Sequence, residues 1–151
     1  MYQSTKKYDH SAGLSACFRQ WRAKSHCQFL HGYALAFEFV FEAMELDENN
    51  WVVDFGGLKP LKKMLEDCFD HKTLVAKDDP NYDWYLEGQS RGVLDLIEMD
   101  ATGCEKVAEY VYSCIATWLR SNGYIPRVHL RSVKVSEHSG NSATYEIQLV
   151  Y

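Results

Sequence analysis

From Tyr33 to Glu42 the chain alternates without a break. Tyr33, Leu35, Phe37, Phe39 and Phe41 fall on one side, and Ala34, Ala36, Glu38, Val40 and Glu42 on the other. A period of two marks a strand with one buried face, since successive side chains of a pleated chain point to opposite sides. An earlier strand is expected within Lys7 to Phe18, and the turn-rich "DENN" follows at Asp47 to Asn50. "FGGLKPLKKMLEDCF" then sets Leu58, Leu61, Met64, Leu65 and Cys68 at helical spacing, with Pro60 tolerated in the first turn. "TGCEKVAEYVYSCIATWL" places Val107, Tyr110, Val111, Cys114, Ile115 and Trp118 on one helical stripe, closed by Asn122 and Gly123. Between the helices, Asp78 to Met99 carries Pro80, Gly88 and Gly92 and reads as a long excursion holding one short helical or strand piece. Val128 to Glu137 and Ser142 to Tyr151 read as a closing hairpin. The ββααββ order predicts an α+β domain over residues 1–151, a four-stranded antiparallel sheet with two helices on one face.

A chain of 151 residues is the size of a single domain. Its net charge of −5 argues against a nucleic-acid surface as the main business. No apolar run approaches the roughly 18 residues of a membrane span, and the N-terminus lacks an apolar signal core, which predicts a cytosolic protein away from membranes. Cys17, Cys27, Cys68, Cys104 and Cys114 are odd in number and form no C-x-x-C pair, so reduced thiols are expected.

Four groups can carry chemistry. Cys27 stands four positions before His31, and a thiol becomes a base or nucleophile when an imidazole, cation or helix terminus lowers its pKa; a buried small side chain beside a satisfied histidine is the alternative. Asp70 and His71 end the first helix, either as a carboxylate-supported imidazole or as a cation complementing the helix dipole. Glu137 ends an apolar strand beside His138 and a Ser-Gly-Asn turn, where it can accept paired N–H donors from a guanidine-like ring edge or stand as a solvated turn residue. Thr102 and Glu105 have capping-box spacing, which explains both structurally, and Cys104 between them reads as core packing.

Taken in order, "LSACF", "CQFLHGY", "DFGGLK", "DHKTL", "TGCEKVAEYV" and "VKVSEHSGNSATY" resemble the family of 6-pyruvoyl-tetrahydropterin and 6-carboxytetrahydropterin synthases, tunnelling-fold (T-fold) enzymes of pterin and queuosine-precursor biosynthesis. The resemblance runs over nearly the whole chain. It implies Cys27 as catalytic thiol, with Asp70 and His71 as the other members of a proton-transfer set. It implies Glu137 as the carboxylate that grips the pterin edge, Thr102 to Glu105 as a loop shaping the pocket from a neighbouring subunit, and Phe55, after Asp54, as an aromatic lining. It also implies a homohexamer of two trimers, each trimer closing its sheets into a barrel.

The family's zinc hangs on three histidines, and here the corresponding positions are Phe18, His31 and Tyr33. His31 is the one ligand left, and Cys17, His26 or Cys27 would need a different geometry to replace the others, since neighbours on a strand face opposite ways. Zinc is therefore a cofactor that the resemblance implies and that the chain's donors undersupply. "EH" in place of the family's "ET" at Glu137 and His138 is a second departure, and the excursion at 78–99 a third. The expected activity is cleavage or elimination in the side chain of 7,8-dihydroneopterin triphosphate or a related pterin. Without metal, Tyr33 would serve as hydrogen-bond donor to the side-chain hydroxyls, as in a metal-free aldolase-like enzyme. The alternative is a non-catalytic pterin- or purine-binding protein.

Overall fold

The computed structural model describes residues 1–150. Its spine is strand β3, His31–Ala43, the alternating segment. Leu35, Phe37, Phe39, Phe41 and Ala43 are essentially sealed from solvent on one face. One edge of β3 is shared by β2 (Leu14–Phe18), paired with its first half, and β1 (Tyr2–Tyr8), paired with its second. The single early strand expected at Lys7 to Phe18 is thus two. A 3-10 turn at His10–Ala12 divides them, with the Asp9 carboxylate accepting from the Ser11 N–H and Gly13 in the left-handed region at φ 70°. On the other edge lie β6 (His129–His138) and then β7 (Asn141–Glu146). The last strand therefore stops short of the expected end at Tyr151, which itself lies outside the described residues.

The sheet is wider than four antiparallel strands. Among the described residues it has seven, because β4 (Lys72–Ala76) runs parallel to β2, and β5 (Leu96–Met99) parallel to β4. It does not close into a barrel within one chain; β5 and β7 end the strand order. Helices α1 (Lys59–Phe69) and α3 (Cys104–Ser121) bury Leu61, Leu65 and Phe69, and Val107, Val111, Ile115 and Leu119, against the apolar face of β3. Phe69 meets Phe37 with ring centroids 5.1 Å apart. The excursion at 78–99 holds a third helix, α2 (Tyr82–Ser90), as well as β5, where one short piece was expected. No helix is long and apolar enough to cross a membrane.

Ion pairs from Arg19, Arg22 and Lys72 tie this excursion to the rest, and the one at Arg19 is buried. The Arg19 guanidinium donates to both Asp79 carboxylate oxygens, at 2.9 and 2.7 Å, and to the Gln28 carbonyl at 3.2 Å. The Asp79 side chain is 2% exposed, so its charge depends on that fork. Replacing Asp79 by asparagine is expected to lower stability by about 2 kcal/mol, measurable by urea unfolding. The Arg19 hydrogen bond, against the opposing effect of burial, holds the Asp79 carboxyl below its ordinary 3.8. The stabilisation is therefore complete above that unfolded value and is lost as pH falls through the lower folded one.

Candidate active site

The first residues of β3 run past the densely packed core to a polar mouth. Phe18, opposite His31 in the β2–β3 register, is 1% exposed. The rings of Phe18 and His31 lie 5.7 Å apart, and those of His31 and Tyr33 5.5 Å apart edge to face. Burial, and then the neighbouring Glu137 carboxylate, push the phenol's pKa up, so Tyr33 keeps its proton and stands as a donor.

Glu137 reaches Tyr33 through a bulge. On β6, Ser136 pairs with Ser142 and His138 with Asn141, so two steps on β6 match one on β7 and Glu137 is the extra residue. A bulge re-aims the side chains around it. Here consecutive residues serve one place: Glu137 acts electrostatically on Tyr33, and the His138 ring lies 6.4 Å from the Tyr33 ring. Cys104, the first residue of α3, feels the same carboxylate. Burial first, then Glu137, push this thiol up to about 12, so the helix N-terminus does not activate it. Neither Cys104 nor His138 stood out as a site residue in the sequence, and the signal that joins them, the bulge, appears only once β6 and β7 are paired.

Thr102 and Glu105 do not form a capping box. The N-cap of α3 is Gly103, with no side-chain cap, and the Thr102 hydroxyl instead donates to the Arg19 carbonyl at 2.7 Å. Gln20 donates to the Thr102 carbonyl at 2.8 Å, which locks the segment after β2 to the start of α3. Gly103 is required at this junction: its φ is +108°, and a Cβ would fall 2.3 Å from the Gln20 amide nitrogen. Thr102 is buried and Glu105 exposed. Within one chain this segment adjoins Glu137 through Cys104.

Cys27 lies on a 3-10 turn, His26–Gln28, capped by Ser25. Its carbonyl accepts from Gln20 N–H at 2.9 Å, and its thiol is half-buried, unpaired with another cysteine and close enough to act electrostatically on Tyr33. Cys27, Tyr33, Cys104 and Glu137 thus gather at one mouth.

Asp70 and His71 precede β4, whose first residue, Lys72, is in register with Ala16 of β2. They occupy the exposed corner between α1 and β4, with His71 Nδ1 2.6 Å from Asp70 Oδ1 and the His71 backbone left-handed at φ 58°. A carboxylate only accepts, so Nδ1 carries a proton. Among the described residues no contact links this pair to Cys27. Phe55 is far from Tyr33. It lines a groove of about 380 Å³ with Tyr2, Trp51 and Val53, at the end where Tyr2 pairs with Ala43, about 30 Å along β3 from Tyr33 at the usual rise per residue.

A tetrahedral zinc needs three protein donors. Phe18 offers none, Tyr33 keeps its proton, and among the described residues no group of three His, Cys, Asp or Glu is placed to hold a metal. The residues at the three positions do not fit the family's histidine site.

This combination of a helix-covered sheet and a polar mouth at the start of its longest strand defines a T-fold domain. Solved structures share it: an uncharacterized Wolinella succinogenes protein superposes with TM-score 0.82 at 17% identity, covering 97% of this chain and 98% of that one. The 6-pyruvoyl tetrahydropterin synthase of Plasmodium falciparum gives 0.64 at 14%, covering 97% and 99%. The family model described as 6-pyruvoyl tetrahydropterin synthase matches residues 8–148, and the chain belongs to that family. Among curated proteins, the 6-carboxy-5,6,7,8-tetrahydropterin synthase of Rickettsia conorii is 32% identical over 58% of this chain and 61% of its own length. That of Rickettsia typhi is 36% identical over 52% and 55%. The match thus spans little more than half the length of these relatives. The Aquifex aeolicus protein of the same name is 23% identical over 93% of this chain and 88% of that one.

Proposed function

We propose that this protein is a lyase acting on the side chain of 7,8-dihydroneopterin triphosphate or a closely related reduced pterin, in the manner of the 6-carboxy-tetrahydropterin synthases. The observation that carries the reading is the convergence of Glu137 and Cys27 on Tyr33 at one mouth. Glu137 accepts from the N–H edge of the pterin, and the Cys27 thiol moves the proton on the side chain. Tyr33 donates to a side-chain oxygen.

The second acid/base is His71, oriented by Asp70. Because the pair makes no contact with Cys27 in its own chain, a second copy supplies it, and Phe55 likewise enters from a neighbour. The working form is accordingly a cytoplasmic homo-oligomer, a hexamer of two trimers whose sheets close into barrels and so pair the free edges of β5 and β7. Incubation with 7,8-dihydroneopterin triphosphate is expected to give a reduced pterin with an altered side chain, identified by mass. Recovery of unchanged substrate bound to the protein would make it a pterin-binding protein instead.

A further inference from the structure

Two imidazoles stand near the Tyr33 ring, and the backbone fixes them in opposite senses. His31 Nδ1 lies 2.7 Å from the Phe29 carbonyl oxygen. A carbonyl only accepts, so Nδ1 carries a proton, and in the neutral ring the lone pair is on Nε2. His138 Nδ1 takes a hydrogen bond from the Gly140 N–H at 3.0 Å. An N–H only donates, so here the lone pair is on Nδ1 and the proton on Nε2. The turn is built for this contact, since a Cβ on Gly140 would come 3.0 Å from His138 Cε1. The bulge at Glu137 brings His138 to within 6.4 Å of Tyr33, ring to ring, and His31 lies 5.5 Å from the same phenol.

We propose that His31 and His138 form a fixed acceptor and donor pair for neighbouring oxygens on a hydroxylated ligand side chain. His31 Nε2 accepts from a hydroxyl, and His138 Nε2–H donates to the next oxygen along. Both outer partners are backbone groups, so the two rings are set before the ligand arrives and lose little freedom on binding it. The pair reads the side chain, whereas Glu137 reads the ring. An N–H held against an oxygen is also the arrangement that stabilises charge developing there. The inference rests on the pterin reading above for the ring's place in the site.

Two probes separate the two ideas. The polyhydroxylated 7,8-dihydroneopterin and its analogue 6-methyl-7,8-dihydropterin, which has no side-chain oxygen, are titrated by fluorescence against wild type, His138→Phe and His138→Gln. His138 is exposed, so neither substitution touches the core. His138→Phe is expected to weaken the hydroxylated probe about tenfold and leave the methyl probe unchanged, and His138→Gln, whose amide N–H can replace Nε2–H, to recover most of the loss. Equal effects on both probes, or none on either, overturn the pair while leaving the pterin reading standing. Wild-type protein that binds neither probe overturns the pterin reading, and the pair with it. Nitrogen-15 spectra of the histidine rings give a readout independent of ligand: the proton is expected on Nδ1 in His31 and on Nε2 in His138, and the opposite tautomer at either ring contradicts the proposal.

Discussion

Replacing Cys27 by alanine is expected to lower kcat on the pterin substrate by about 10²–10⁴-fold, the range for loss of a positioned proton-transfer group, with little change in pterin affinity. The argument for so large an effect is one of placement. The Cys27 backbone is held on both sides, by the Ser25 cap on its N–H and by Gln20 N–H on its carbonyl, so the thiol is presented by a fixed turn. Gln20 in turn is bonded to the Thr102 carbonyl, and Arg19 beside it holds Asp79, so the turn inherits rigidity from α2 and α3 together. By contrast, the Cys104 thiol, pushed up to about 12, stays protonated and has no such role. Steady-state kinetics beside a fluorescence binding curve distinguish loss of chemistry from loss of substrate. A Cys27→Ala variant with unchanged kcat would remove the thiol from the mechanism.

Replacing Glu137 by glutamine is expected to act on the other parameter, weakening pterin binding by about 10–100-fold as a charge-assisted hydrogen-bond pair is lost. In the unliganded protein this carboxylate stands near the Tyr33 hydroxyl and the Cys104 thiol and pushes the pKa of both up. A carboxylate has acceptor sites to spare for paired N–H donors, but an amide presents N–H groups of its own to the same ring edge. The variant should therefore raise KM far more than it lowers kcat at saturation, read from initial rates over a wide substrate range. Unchanged affinity would place the pterin ring elsewhere.

Much of this site was legible in the sequence, residue by residue, and its assembly was not. The alternation of Tyr33 to Glu42 fixed both the central strand and its buried face, because a half-buried antiparallel strand writes its geometry as period two. The strand β4, "KTLVA", carries no such period, since a parallel strand covered on both sides has no polar face to alternate with. The edge strand β5, "LIEM", is only four residues long, too short to separate a strand from a helical turn within the excursion. The split of the first strand hinged on Asp9 and Gly13, a local turn inside an otherwise strand-like run.

Thr102 and Glu105 illustrate the reverse error. Their spacing met a rule for helix starts, but tertiary structure gave the Thr102 hydroxyl a better partner in Arg19, far away in the chain. Spacing also could not say that Phe55 sits at the far end of β3. Nor could it show that Glu137 and His138, adjacent and so normally on opposite faces, serve one place through a bulge.

The central claim, a pterin lyase whose chemistry runs on Cys27 and the groups around Tyr33, is tested most directly by one measurement: turnover of 7,8-dihydroneopterin triphosphate by protein treated exhaustively with chelator. The account predicts side-chain cleavage or elimination at the rate of untreated protein, since Phe18 and Tyr33 leave the family's zinc position short of donors. Activity that vanishes with the chelator and returns with added zinc would contradict it.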